Sequence, residues 1–196
     1  PLASWSMAEG LSSDAARTLF EGDNGTIWVG TTDGLNRISG RDVRWYRRAQ
    51  PPVAQRAHNW VYALTRDSED GLWVGTQIGL AQWAEGKLRD RRDLGNAAGF
   101  GVFSLLRARD GALWLGAALD NTGGRPLHRL YRNQMTSFQL DTAIVFALLE
   151  DRLGRIWAST KGGLYHVDAD GTVIRHETPV EPLHQLFMSA SEDSRG

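Results

Sequence analysis

Histidines and carboxylates are the side chains to test first for metal or proton-transfer chemistry. The five histidines, His58, His128, His166, His176 and His184, are scattered. No two stand at a helix or strand ligand spacing beside a carboxylate pair, so they do not read as a zinc site. Asp168-Ala169-Asp170-Gly171 begins like a calcium loop but lacks the later ligands and the closing Glu, and reads as a hairpin turn. Glu150-Asp151 pairs two carboxylates, as acid–base catalysis requires, yet it falls at an expected exposed tip with no burial to raise a pKa. No Gly-x-Ser-x-Gly, phosphate loop or Gly-x-Gly-x-x-Gly is present, and there is no cysteine for a disulfide or thiolate site. The expectation is therefore no catalytic residue, no metal and no cofactor.

Tryptophan is the conspicuous residue type, with eight copies in 196 residues. Four of them recur in one phrase: Thr26-Ile27-Trp28-Val29-Gly30-Thr31, Gly71-Leu72-Trp73-Val74-Gly75-Thr76, Ala112-Leu113-Trp114-Leu115-Gly116 and Arg155-Ile156-Trp157-Ala158-Ser159-Thr160. They step by 45, 41 and 43 residues, which is the mark of a repeat architecture. Although an exposed Trp can stack on a sugar, four identical placements within apolar strands read as core.

The elements that must position these residues follow from the Trp register. Twelve residues upstream, at Ala16, Val61, Val102 or Val145, a short apolar run begins, and its continuous apolarity predicts a strand buried on both faces. Its third residue is small (Thr18, Ala63, Ser104, Ala147), which predicts close approach of neighbouring sheets. A polar tip with Asp and Gly closes a hairpin to the Trp strand. A third strand (from Leu35, Leu80, Leu127 or Leu164) and a more polar fourth strand complete each copy. The fourth strand's charges suit an edge that must not pair with other chains. Four antiparallel strands in about 43 residues, repeated, is the pattern of a β-propeller blade.

The expected fold is thus all-β: a β-propeller of four-stranded antiparallel blades, present as an incomplete arc of about four blades plus terminal strands. Residues 1–15 are expected to hold an outer strand of a closing blade, with Trp5 placed like Trp45, and a leading loop. Blades are expected over 16–59, 60–100, 101–142 and 143–183. The start of a further blade falls over 184–196, where Phe187 to Ala190 match an inner strand and Asp193 to Gly196 match a tip. A chain opening on Pro1, with the next Trp due near position 199, reads as an excerpt. An open arc exposes apolar blade faces, so self-association or completion by further blades is expected.

Composition narrows the partners. Charged residues are 23% of the chain and net charge is −1, with no basic stripe for nucleic acid and no polybasic membrane patch. No apolar run approaches the roughly 20 residues of a membrane helix.

The phrase Asp-x-x-Gly-x-Ile/Leu-Trp-x-Gly-Thr-x-x-Gly-Leu resembles the two-component regulator propeller repeat. Asp151 to Trp157 carries its first half, and Trp28 to Leu35 with Asn36-Arg37 its second. Gly22 and Ala108 replace the leading Asp, and the third copy loses Thr-x-x-Gly-Leu. The resemblance implies a periplasmic β-propeller sensor region of a bacterial receptor, with a histidine kinase or diguanylate cyclase output elsewhere, and often a polysaccharide signal. The tip aspartates also resemble the aspartate boxes of sialidases, which form turns.

Loop lengths point to a binding face. Leu127 lies 13 positions after Trp114, where the other copies have seven. The inserted stretch, Ala117 to Pro126, opens on the same face as the long connection Arg48 to Asn59. Insertions on one face of a repeat fold commonly mark its binding face. The candidate ligand-binding residues are His58, Asn59, Trp60, Asp120, Asn121 and Arg125, for a small molecule or oligosaccharide. Two alternatives stand beside a sensing propeller: a glycan-acting propeller enzyme, lyase or sialidase-like, which needs converging acids, bases or arginines, and a structural propeller for protein partners.

Overall fold

Each Trp phrase forms the second strand of a four-stranded antiparallel sheet, and the chain builds four such sheets in order. The computed structural model describes residues 4–47, 59–67, 71–91, 93–94, 100–118 and 125–176. The features expected over 184–196, His184 included, lie outside the described residues, as do Pro51 and Pro52.

The described residues fall into two compact units, 1–98 and 99–196. In the first, one blade comprises β1 (Ala16–Glu21), β2 (Ile27–Thr31), β3 (Gly34–Ser39) and β4 (Asp42–Tyr46). The next comprises β5 (Val61–Arg66), β6 (Leu72–Thr76), β7 (Gly79–Ala84) and β8 (Lys87–Asp90). The second unit holds the third blade, β9 (Val102–Arg107), β10 (Leu113–Ala117), β11 (Leu127–Tyr131) and β12 (Gln134–Phe138). Its fourth blade is β13 (Val145–Glu150), β14 (Ile156–Thr160), β15 (Gly163–Val167) and β16 (Val173–His176).

The strand buried on both faces is not the inner one. All of β6 and β10 is buried, whereas β1 alternates between exposed and half-buried and β13 is mostly half-buried. The reason is position: the Trp strand has a sheet neighbour on either side, while the inner strand is a sheet edge. Trp28, Trp73 and Trp114 are buried, which settles them as core. Fully burying such a side chain contributes about 1.5–3 kcal/mol or more.

Close approach of sheets is carried by the glycine of the phrase. A Cβ on Gly30 would meet Thr18 Cγ2 and Val61 Cγ1 at 2.5 Å, and one on Gly116 would meet Ser104 Oγ and Val145 Cγ1. The small residue of the inner strand and the Val that opens the next blade therefore converge on this glycine. Within the first unit, Trp28, Leu35, Val61 and Val74 share a core, with Trp28 edge-on to Trp83 at 4.5 Å. Within the second, Trp114, Leu127, Val145 and Tyr165 do the same.

The expected outer strand over 1–15 is unpaired in its described part. Trp5 is exposed, and Ser6 caps a 3-10 turn, Met7–Glu9, in a capping box with Glu9. Leu11 instead covers Val29 and Ile38, and Ser12 joins buried Asn36 and Thr31 by hydrogen bonds.

Candidate functional site

Every blade has a β-bulge at the start of its inner strand. The register jumps between Ala16 and Thr18, Val61 and Ala63, Gly116 and Ala117 (opposite Phe103), and Val145 and Ala147. A bulge leaves one residue unpaired and re-aims its side chain. Those residues are Arg17, Tyr62, Phe103 and Phe146, so the first two blades place a cation and a phenol where the other two place phenylalanine.

In the first unit the bulged side chains build a cluster. The Arg17 guanidinium carbon lies 4.5 Å from the Trp60 ring centre and 5.2 Å from that of Tyr62. The two rings meet edge-to-face at 6.1 Å. Tyr62 donates its hydroxyl to Gln77 Oε1 at 2.8 Å, and the Gln77 backbone N–H donates to the Trp60 carbonyl, which locks the turn after β6 to the start of β5. Burial pushes the Tyr62 hydroxyl pKa up, with the Arg17 charge opposing it, so the phenol stays a donor. Among the described residues no carboxylate pairs with Arg17. A guanidinium held against two aromatic rings can recognise a carboxylate, phosphate or hydroxyl oxygen.

Of the residues expected to bind ligand, Trp60 stands in this cluster and Asn59 stands next to it in sequence. Asn59 is buried, and its Oδ1 has no hydrogen-bond partner among the described residues. Arg125 is exposed beside the insertion, where Pro126 accepts from the Ala117 N–H. His58, Asp120 and Asn121 lie outside the described residues. Arg17, Tyr62 and Gln77 were not expected. Their one trace in the sequence is the second residue of the inner strand, which reads Arg, Tyr, Phe, Phe across the copies, and the bulge that exposes it is not visible there.

Among the described residues, the groups first considered for metal or acid–base chemistry have structural partners. The histidines are not all apart, because the β15–β16 register brings His166 Nδ1 to 2.7 Å from His176 Nε2. His166 Nε2 faces Asp168 Oδ1 at 3.2 Å, and Trp157 stacks on His176 at 4.7 Å. Burial, then the neighbouring His166 and Arg155 charges, hold the His176 pKa below its usual value. Among the described residues no group of three His, Asp or Glu is disposed to hold a metal ion. Asp168 to Gly171 is a turn closed by Gly171 N–H to Asp168 C=O and by Thr172 N–H to Asp170 Oδ1.

Asp151 is not exposed as expected but buried. Its Oδ1 accepts from the backbone N–H groups of Leu153 and Arg155, and its Oδ2 from Arg155 Nε and Trp157 Nε1 at 2.6 and 2.8 Å. Burial alone would raise its pKa. The donors from Trp157 and Arg155 outweigh that and bring it to about 2. It is a turn-forming carboxylate tied to half-buried Trp157.

Consecutive four-stranded antiparallel blades packed through a Trp strand define a β-propeller repeat protein. Residues 10–33 and 55–77 match the two component regulator propeller, so these two stretches carry that family's repeat. No curated relative matches the chain in sequence. Among solved structures it is similar to the extracellular domain of BT4673 from B. thetaiotaomicron, which is described in one structure as a one component and in another as a hybrid two component system. In the former the TM-score is 0.71 at 22% identity, covering 92% of this chain and 25% of that one. The extracellular domain of BT3049 from the same organism, described as a hybrid two component system, gives 0.68 at 21% over 84% and 24%. A catalytically inactive virginiamycin B lyase from Staphylococcus aureus gives 0.67 at 14% over 85% and 57%. These are likenesses of fold, and the chain spans about a quarter of the length of the two sensor structures.

Proposed function

We propose that this chain is part of the extracytoplasmic, ligand-sensing propeller of a bacterial two-component-type receptor, periplasmic in location and without catalysis of its own. The observation that carries the reading is the Arg17–Trp60–Tyr62 cluster. It is built on bulges at one end of the inner strands, in the region bearing the regulator propeller repeats. A cation and two rings suit a polar small molecule or oligosaccharide, with Trp60 stacking on a sugar face and Arg17 donating to its oxygens. Asp120, Asn121 and Arg125 of the third-blade insertion are proposed as polar ligand contacts in their own right. Signalling requires the ligand to bind one receptor state more tightly than the other. Leu19, 69% exposed on a blade face, supports coverage by further propeller sequence in the intact receptor.

The test is a thermal-shift and calorimetric screen of oligosaccharides against the chain, followed by Arg17→Ala, Trp60→Ala and the double Asp120→Ala, Arg125→Ala. Expected are a saturable hit and at least about tenfold weaker binding on loss of Arg17 or Trp60, with melting unchanged. Affinity indifferent to both would remove this face from the proposal.

A further inference from the structure

A second cleft lies at the other end of the strands, between the tips of the first two blades, and comparison of the repeats shows what it lacks. Three positions around each Trp determine the chemistry there. The leading tip position, six residues before the Trp, reads Gly22, Asp67, Ala108, Asp151. The residue paired with the Trp across the sheet reads Arg37, Gln82, Arg129, His166. The position four before the Trp is Asn24 in the first blade and Asp110 in the third.

In three blades a carboxylate from the blade's own tip accepts from a donor beside the Trp, and in the fourth it also takes the indole N–H, whereas Trp73 Nε1 is buried without an acceptor among the described residues. Asp151 takes the Trp157 indole N–H and Arg155. Asp67 accepts from Gln82 Nε2. In the third blade the leading Asp is replaced by Ala108, but Asp110 accepts from Arg129 Nη2 at 2.7 Å. The first blade has neither carboxylate. Gly22 stands against the Trp28 Nε1 edge, neutral Asn24 stands where Asp110 would, and the Arg37 guanidinium lies 6.0 Å above the Trp28 ring. Among the described residues no carboxylate pairs with Arg37 and no acceptor meets Trp28 Nε1.

These donors line a cleft of about 490 Å³ whose apolar wall is Phe20, Trp28, Leu72 and Trp83. The Trp83 indole N–H is itself buried without an acceptor among the described residues. The cleft's two acids do not neutralise Arg37. Asp23 is bound by both terminal nitrogens of Arg66 at 2.7 and 3.1 Å, and Glu85 is 81% exposed and faces Arg89.

We propose that this cleft binds a small carboxylate-bearing molecule, its carboxylate on Arg37 and the Trp28 N–H and its body against the aromatic wall. The ligand's carboxylate does in the first blade what Asp110 does in the third. A charged acceptor suits a guanidinium because such hydrogen bonds are about twice as strong as neutral ones. The site is separate from the Arg17 cluster, so either proposal can fail alone.

The experiment titrates the full chain with benzoate and with D-glucuronate, each against a neutral counterpart, benzyl alcohol and methyl glucoside, by calorimetry and Trp fluorescence. Saturable binding of either acid at up to about 10 mM is expected, with the neutral counterpart at least about tenfold weaker. Benzoate alone binding identifies a planar acid, and glucuronate alone a sugar acid. Arg37→Gln and Asn24→Asp should each weaken binding at least about tenfold, the second by supplying an internal carboxylate, with circular dichroism and melting unchanged. Asp110→Asn should add a second equivalent of binding by freeing Arg129. Failure of both acids to bind, equal binding of a neutral counterpart, or affinity unmoved by both Arg37→Gln and Asn24→Asp would overturn the proposal.

Discussion

The hairpin tips of the fourth and first blades use the same phrase and satisfy it differently. In the fourth, Asp151 gathers two backbone N–H groups, a guanidinium and the Trp157 indole into one buried carboxylate site. In the first, Gly22 offers the indole of Trp28 no such acceptor, and the turn is held by Gly22 and Thr26 backbone bonds with Asn24 at positive φ. Both hairpins form and both Trp strands pair in register. The Trp therefore defines the blade, whereas the leading Asp is a local fastening that the first and third copies do without. In the third, Asp110 takes its place on Arg129, and in the first hydrogen-bonding capacity is left facing a cleft.

The largest expected effect tests whether that fastening matters where it exists. Asp151→Ala leaves the Trp157 N–H and Arg155 without their acceptor, and removing one partner of a buried charged set costs about 3 kcal/mol. Urea unfolding should show it as a lower midpoint. A cost below about 1 kcal/mol would make the two tips energetically alike and break the comparison. Acid titration gives a somewhat smaller effect. The Asp151 pKa is depressed from its ordinary 3.8 to about 2 in the folded chain. A depressed carboxylate contributes stability that is full above the unfolded value and lost as pH falls through the folded one. Between pH 5 and pH 2 the stability difference between the parent and Asp151→Asn should therefore shrink by about 2 kcal/mol. A difference flat across that window would mean the donors do not hold the charge.

The repeat was legible because packing enforces it. Gly30 has no room for a Cβ beside Thr18 and Val61, so the phrase cannot drift, and its spacing gives the blade, the hairpins and the buried Trp directly. Burial of the inner strands was misjudged because an apolar run does not say whether a strand lies at a sheet edge. Trp60 was legible as an aromatic in a long connection. Arg17 and Tyr62 were not, since they depend on a bulge that turns one residue out of register, and an alternation pattern hides it. The His166–His176 pair was likewise invisible, because ten residues of separation become contact only through the β15–β16 register. Asp151 was read as an exposed turn residue because its sequence neighbours are polar; its burial comes from the Trp it fastens.

The smallest expected effect concerns the other difference between blades, the face rather than the tip. Leu19 in β1 sits directly across from Val29, as Leu64 sits across from Val74 in the second blade. Leu64 packs into the core shared by the first two blades. On the first blade, Leu11 covers Val29 and Ile38, while Leu19 stays 69% exposed. A leucine that is mostly in water on both sides of the folding equilibrium gives little stability, so Leu19→Glu should change the urea midpoint by no more than about 0.5 kcal/mol. The glutamate also meets no buried group that it must desolvate. A loss above about 2 kcal/mol would mean that Leu19 is covered in solution, and that the first blade is packed on both faces like the second.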